Sequence, residues 1–563
     1  MTHNILIGGE AGQGMDTLSS LLETILKRHG FHIYTNKDYM SRIRGGHNFI
    51  QVRFGTEALS SHDPLLDVII ALDEHTIQTH SERLGEDGRI LCDESFAPEE
   101  DRVLALPMES YAKELGNPKV FGSVAVGALL SLLGLGMDVA QTVLKESFKE
   151  EIAELNRKAL EKGYGLADQV FQPGTPPKDD TILIHANNAI ALGALAGGVA
   201  FYSAYPMTPS TSIMGYLAGK QKEAGILVDQ AEDEISAINM ALGASFGGLR
   251  AMTGTSGGGF SLMVEALGLA GITETPLVIA NIMRPGPATG FPTRTEQGDL
   301  SFVLSAAQGE FPRMVLAVRH PEDAFVQTIR ALDLADKYQM LVIILGDQYI
   351  ADVTRTVPPF SFDGLTIDRH LADPADYGDG HYKRYDLSQG PVSPRLYPGQ
   401  VPGEVVLADS DEHTEEGHIT EAADVRVSMV DKRMEKLELL RGEIIEPEYT
   451  GPDNPDVVLI GWGSTHGPLQ EALQLLSDDS EVSQKVGALV FGDLYPLPTG
   501  RLTELAEDQP VFVNVEQNCT GQFARLIRQE TGIVCGNSIL KYDGRQMSAR
   551  EIAQRVRKEV LGQ

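Results

Sequence analysis

Residues 205 to 297 concentrate the side-chain types that bind small anions and move protons. Tyr205-Pro206-Met207-Thr208-Pro209-Ser210-Thr211-Ser212 interleaves hydroxyls with two prolines. The prolines restrict Tyr205 and Thr208 to extended backbone. This predicts Thr208 as a helix N-cap with Pro209 in the first helical position. Hydroxyls of Thr208, Ser210 and Thr211 beside free helix-start amides suit a small carboxylate; the same residues also serve as a plain cap. Glu232-Asp233-Glu234 opens an apolar helix from Ile235. Acids there are dipole partners on a solvated face, or one is held against a heterocyclic cofactor to relay a proton. Gly254-Thr255-Ser256-Gly257-Gly258-Gly259 follows a strand-like stretch at 249–253. It reads as a flat glycine floor under a ligand ring or, through Gly254-x-Ser256-x-Gly258, as a nucleophile elbow built on Ser256. Arg284 and Arg294 bracket a proline- and glycine-rich loop after a strand at 277–282. They suit bidentate carboxylate binding or are ordinary surface arginines.

Gly9-Glu10-Ala11-Gly12-Gln13-Gly14 also joins a strand to a helix, where backbone amides can cradle phosphate. Thr17 stands where a third glycine would complete Gly-x-Gly-x-x-Gly, and no Gly-Lys-Ser/Thr follows, so phosphate contact and a plain tight turn both stay open. Gly378-Asp379-Gly380 has the start of a thiamine-diphosphate metal motif. The next asparagine is Asn454 and no strand precedes the triplet, so the motif is rejected. Asp411-Glu412-His413 with Glu415, Glu416 and His418 reads as a solvated acidic loop rather than a metal site, and no His-Glu-x-x-His or Cys-x-x-Cys occurs.

These motifs need elements to hold them. A length of 563 residues suggests three or four domains at roughly 150 residues each. Strand-like and helical segments alternate in three blocks, predicting an α/β fold of three domains with mainly parallel sheets. The blocks are 1–171, 181–360 and 456–563. A linker at 172–180 carries three prolines, and an irregular connector at 361–455 holds one clear helix at 423–441. The apolar stretch 124–137 reads as a buried helix, too short to span a bilayer.

Asp and Glu number 79 against 46 Lys and Arg, for a formal charge of −33. Such a surface repels nucleic acid and anionic lipid. It would also repel an acidic electron carrier, which should dock on another subunit. Three cysteines suit a reducing cytosol and cannot supply the four thiolates of an iron–sulfur cluster. The first residues lack the basic region of a signal peptide, so a soluble cytoplasmic chain is expected.

At its central motifs the chain resembles the 2-oxoacid:ferredoxin oxidoreductases. Tyr205 to Thr211 is similar to the family's Tyr-Pro-Ile-Thr-Pro-Ser-Thr signature, with Met207 for Ile. Glu232-Asp233-Glu234, Thr255 to Gly259, and Arg284-Pro285-Gly286-Pro287-Ala288-Thr289-Gly290 through Thr293-Arg294-Thr295-Glu296-Gln297 also resemble family segments, with Ala288 where Ser is common. The likeness is greatest to alpha subunits of the 2-oxoglutarate synthase type, in which a gamma domain is fused ahead of the alpha domains. Gly9 to Gly14 and Arg44-Gly45-Gly46-His47-Asn48 resemble that gamma domain. Trp462-Gly463-Ser464 and Tyr495-Pro496-Leu497-Pro498 resemble the C-terminal, transketolase-like domain.

The resemblance implies a gamma domain, a thiamine pyrimidine-type domain and a transketolase C-terminal-like domain. It implies coenzyme A-dependent oxidative decarboxylation of a 2-oxoacid, 2-oxoglutarate to succinyl-CoA and CO2 foremost and pyruvate or a branched-chain oxoacid otherwise. Electrons would pass to ferredoxin, and the reverse reaction would fix CO2, as in a reductive TCA cycle. Thiamine diphosphate would be shared with a beta subunit carrying its diphosphate, Mg²⁺ and a 4Fe–4S cluster, in a heterotetramer. This chain would hold no metal and be inactive alone. Glu234, with Glu232 second, would hydrogen-bond the thiamine aminopyrimidine and favour the imino tautomer that makes the nucleophile. Thr208 and Arg284, supported by Ser210 and Thr211, would bind the oxoacid carboxylate, and Arg294 would take the distal carboxylate or share the near one. Thr255, Ser256 and Gly257 would line the cofactor, and Gly12, Gln13 and Gly14 would lie near the coenzyme A phosphates. A serine hydrolase using Ser256 and a non-catalytic nucleotide-binding assembly subunit are the competing readings.

Overall fold

The computed structural model describes residues 2–41, 45–378 and 380–562; Arg44 and Asp379 of the motifs above lie outside the described residues. The chain divides into two compact units. One comprises Met1–Ile184, Asp352–Pro359 and Ser548–Arg550; the other holds the remainder.

In the first unit, β1 (Thr2–Glu10), β2 (His32–Asp38), β3 (His47–Gly55), β4 (Leu66–Ala71), β5 (Leu84–Asp93), β6 (Val103–Leu106), β7 (Ile182–Ile184) and β14 (Thr354–Val357) form one sheet in the order β6-β5-β4-β1-β3-β2-β14-β7. The β6-to-β1 half is parallel, whereas β1, β3, β2, β14 and β7 pair antiparallel. Parallel pairing needs a crossover, and among the described residues no helix separates β2 from β3, so that half departs from the parallel expectation. Strands β7 and β14 lie within the block expected at 181–360, yet they extend this first sheet. The Ile33 amide donates to Thr356 Oγ1 at 2.9 Å, tying β14 to β2. The apolar stretch 124–137 is not one helix. Phe121–Leu132 ends in a turn in which Gly134 takes φ +65°, and Met137–Ser147 begins a second helix.

In the second unit, β8 (Phe201–Ala204), β9 (Leu227–Gln230), β10 (Ala251–Thr255), β11 (Leu277–Met283), β12 (Arg313–Ala317), β13 (Leu341–Asp347) and β18 (Asp493–Tyr495) run β18-β12-β13-β11-β10-β8-β9, all parallel except β18. A further sheet, β15 (Glu448–Thr450), β16 (Val457–Trp462), β17 (Val486–Phe491), β19 (Val511–Glu516) and β20 (Asn537–Leu540), runs β15-β17-β16-β19-β20 and is parallel except for β15. Leu277 and Ile343 from one sheet and Val458, Trp462 and Phe491 from the other share a single apolar cluster. The irregular 361–455 segment is anchored to this body by buried charges. Lys432 and Lys436 of the helix Ala423–Leu440 both pair with Glu274, and Arg250, Arg369 and Arg395 converge on Asp336. Among the described residues, no helix is long and apolar enough to cross a membrane.

Candidate active site

Parallel α/β sheets bind ligands at the carboxyl ends of their strands. In the second unit four adjacent strands deliver the motifs there. β8 leads into Tyr205, β9 into Glu232, β10 into Ser256 and β11 into Arg284.

After β8 the chain turns on itself before becoming helical. The Thr208–Pro209 peptide is cis, and the Ser210 amide and hydroxyl both donate to the Met207 carbonyl at 2.8 Å. The helix therefore starts at Thr211, with Ser210 at the N-cap. Thr208 is not the cap and Pro209 not the first helical residue, because the turn closed on Met207 moves the start on. Ser210 is buried with its hydroxyl committed to that turn, Thr211 is exposed, and Thr208 is half-buried. The Thr208 carbonyl accepts from Arg284 Nη1 at 2.7 Å, so these two expected partners do meet.

After β9 the three acids take different duties. Glu232 is exposed. Asp233 caps the helix Glu234–Phe246 by accepting from the Ser236 amide at 2.7 Å. Glu234, the first helical residue, is only 3% exposed, and its Oε1 has no hydrogen-bond partner. Buried polar atoms are almost always paired, so an open carboxylate oxygen here is an offer to a ligand. After β10 the short helix Gly257–Leu262 begins beside it. A Cβ on Gly259 would strike Thr255 Oγ1 and Glu234 Oε1, which is why glycine occupies that place. Thr255 and Ser256 are wholly buried. Ser256 Oγ makes no hydrogen bond, to an imidazole or otherwise, so the nucleophile-elbow reading finds no base. Tyr202 Oη, Thr253 Oγ1 and Asn281 Oδ1, on the same three neighbouring strands, are likewise buried and unpaired.

Arg284 closes the group. Burial pulls its guanidinium down from its ordinary value, while Asp299 and then Glu234 oppose that shift, so both acids lie within electrostatic range. Asp299 accepts from Asn281 Nδ2 at 3.1 Å and lies 2.6 Å from where a Gly257 Cβ would stand. Asp299 and Asn281 were missed as site residues. The only signal for them was position: Asn281 near the end of the strand that leads into Arg284, and Asp299 just beyond the Arg284–Gln297 stretch. Arg294 donates to the Thr293 carbonyl, and its stem lies against Gly544.

In the first unit Gly12 and Gly14 take φ +100° and +82°, shaping the turn into the helix Met15–Arg28. Gln13 is spent on the turn itself: its Oε1 accepts from the Glu10 amide and its Nε2 donates to the Leu72 carbonyl. A cavity of about 840 Å³ opens there, lined by Gly12, Gln13, Gly14, Thr17, Lys113 and Lys119 among others. Among the described residues, no group of three or more His, Cys, Asp or Glu is placed to hold a metal. Glu412 and His413 are not solvated as expected: Glu412 is paired with Arg426 and Arg433, and His413 is buried against the Tyr385 ring.

Residues 192–432 match the family described as pyruvate flavodoxin/ferredoxin oxidoreductase, thiamine diP-bdg, and residues 4–166 match pyruvate ferredoxin/flavodoxin oxidoreductase. A 2-oxoacid:ferredoxin oxidoreductase subunit alpha from Sulfolobus sp is 32% identical, aligned over 98% of this chain and 95% of its own. The 2-oxoglutarate oxidoreductase subunit KorA of Mycobacterium tuberculosis is 32% identical over 78% of this chain and 68% of its own. The solved 2-oxoglutarate:ferredoxin oxidoreductase from Magnetococcus marinus, with 2-oxoglutarate, coenzyme A and succinyl-CoA bound, superposes with a TM-score of 0.92 at 32% identity, covering 99% of each chain.

Proposed function

The chain belongs to the 2-oxoacid:ferredoxin oxidoreductases as an alpha subunit, and from that membership we propose that it supplies the ring-gripping and oxoacid-gripping half of a thiamine-dependent site. The observation that carries this reading is Glu234, buried with one carboxylate oxygen open beside a glycine helix start. The residues fit the group: an unpaired carboxylate, a glycine floor and unpaired Ser256, Thr253 and Asn281 atoms suit a planar polar heterocycle. Thiamine diphosphate, when bound, supplies the carbon nucleophile that attacks the 2-oxo group and accepts the electron pair released with CO2.

Within this reading Glu234 holds and exchanges a proton with the ring nitrogen it faces, and Glu232, being exposed, stays outside. Thr255, Ser256 and Gly257 form the wall against the ring. Arg284, tethered by the Thr208 carbonyl, offers its remaining N–H groups to the oxoacid carboxylate and so fixes the direction of the 2-oxo carbon. Arg294 takes a distal carboxylate. 2-Oxoglutarate as substrate, with succinyl-CoA as product, is supported by the Magnetococcus and Mycobacterium relatives. Coenzyme A would use the 840 Å³ cavity of the first unit, where Lys113, Lys119 and the amides of the Gly12–Gly14 turn suit phosphate; residues 1–171 are then its domain. A beta subunit would supply Mg²⁺, the diphosphate site and the 4Fe–4S cluster, and ferredoxin would dock there, away from a chain of charge −33. Co-purification with the partner subunit, followed by a 2-oxoacid panel with coenzyme A and viologen reduction, tests the reading. Activity should need both chains and be highest with 2-oxoglutarate. Turnover by this chain alone, or none with both, would refute it.

A further inference from the structure

Asp299 stands in the capping position of a helix that it does not cap. It precedes the short helix Leu300–Ser305, and aspartate favours this place because its carboxylate accepts from the first helical amides. Among the described residues Asp299 makes no such bond. Its carboxylate turns back onto the floor of the site instead. Oδ2 accepts from Asn281 Nδ2 at 3.1 Å, and the two oxygens lie 2.6 and 2.8 Å from where a Gly257 Cβ would stand. Asn281 is in register with Thr255 across β11 and β10. The cap comes from the C-terminal sheet. Gln522, first residue of the helix Gln522–Thr531 after β19, accepts from the Ser301 amide through Oε1 at 2.8 Å and donates from Nε2 to the Gly298 carbonyl at 2.7 Å. One side-chain amide thus holds the chain on both sides of Asp299. Gln297 is fixed from the same direction. Its amide and Oε1 bond to the Gln517 carbonyl and amide at 2.7 and 3.0 Å, its Nε2 to the Trp462 carbonyl at 2.8 Å, and its carbonyl to Asn518 Nδ2 at 3.1 Å.

Glycine has more backbone freedom to lose than any other residue, so a floor made of Gly257-Gly258-Gly259 needs bracing from outside. The Glu234 carboxylate lies against Gly259 and the Asp299 carboxylate against Gly257. Resting on the thiamine reading, we propose that Asp299 is a positioning residue for the ring-binding floor, and that Gln522 frees it for this duty by capping the helix Leu300–Ser305 in its place. The C-terminal sheet then acts on the cofactor site through the loop that carries Asp299. Without Gln522 the Ser301 amide loses its acceptor, and the Asp299 carboxylate turns to its own capping position and leaves Gly257 and Asn281.

The test measures thiamine diphosphate affinity by titration of the assembled complex, and unfolding of the full chain in urea. Gln522→Ala should weaken affinity about tenfold, because the loosened floor must be ordered when the ring binds. Stability of the chain should change little, since Asp299 takes over the cap. In an Asp299→Ala background, itself weakened about tenfold, the pattern inverts. There Gln522→Ala should change affinity less than about twofold and lower the folding equilibrium constant about fivefold, the loss of the last cap. Gly257→Ala, whose Cβ displaces the same carboxylate, should likewise add less than about twofold in that background. Unchanged affinity in Gln522→Ala, or an equal loss of affinity in both backgrounds, would overturn the proposal. If Asp299→Ala does not assemble, Gln522→Ala combined with Gly257→Ala decides it. Together they should weaken affinity no more than about threefold beyond either alone, and a loss equal to the full product would overturn the proposal. No thiamine diphosphate binding by the unaltered complex would sink the functional reading itself, whereas binding that ignores Gln522 would sink only the role of Asp299 and its cap.

Discussion

Glu234 can be buried with a free oxygen because its neighbour does the capping: Asp233 satisfies the Ser236 amide and leaves Glu234 to the interior. Glu234→Gln keeps the shape but removes the exchangeable carboxyl proton. In the reconstituted complex it should lower kcat by about 10²–10⁴-fold while the circular dichroism and melting of the isolated chain stay unchanged. Arg284→Lys should raise KM for the oxoacid by roughly 10–100-fold, because a lysine cannot both reach the Thr208 carbonyl and fork onto a carboxylate; steady-state kinetics would show it. At this scale residue type was legible and duty was not. Three acids in a row marked a helix start and left dipole partner and proton relay both open, and spacing alone could not say that Glu232 is exposed, Asp233 caps and Glu234 is buried. Thr208 misled because local proline rules favour a cap there, whereas the turn closed on the Met207 carbonyl delays the helix.

Among the elements, the helix starting at Gly257 shows how a floor is kept flat. Gly259→Ala should add stability on helix propensity alone, about 1 kcal/mol. Its Cβ would instead displace Thr255 Oγ1 and the Glu234 carboxylate. The expected result is weaker thiamine binding to the assembled complex, read by titration, with little change in the melting of the chain. The helix Ala423–Leu440 is held by Glu274, which the Lys436 and Lys432 cations keep below the usual carboxylate range against the effect of burial. Glu274→Gln strands two buried ammonium groups and should destabilise the second unit by about 3–5 kcal/mol in urea unfolding, whereas Glu274→Gln with both lysines changed to Met should recover much of the loss. Helices and parallel strands were legible because their periodicity is local. The pairing of β14 with β2 and β7 was not, since it joins segments more than a hundred residues apart whose few residues carry no pattern of their own. The break inside 124–137 was missed for the opposite reason: continuous apolarity hid a turn that Gly134 marks.

For the molecule as a whole, the linker at 172–180 looks like a place to cut, and the sheet shows that it is not. A fragment of residues 1–171 lacks β7 and β14 and leaves β2 as an open edge. Light scattering should find that fragment prone to self-association, in contrast to the full chain. The proposed division of labour between subunits rests on what this chain carries: a buried acid with an open oxygen, a guanidinium tethered to the Thr208 carbonyl and a glycine helix start. The most direct test is the density of the assembled complex with thiamine diphosphate bound, and in it the distance from the Glu234 carboxylate to the aminopyrimidine ring nitrogen. A separation of about 2.6–3.2 Å is expected; a ring lying beyond hydrogen-bond reach of Glu234 would contradict the account.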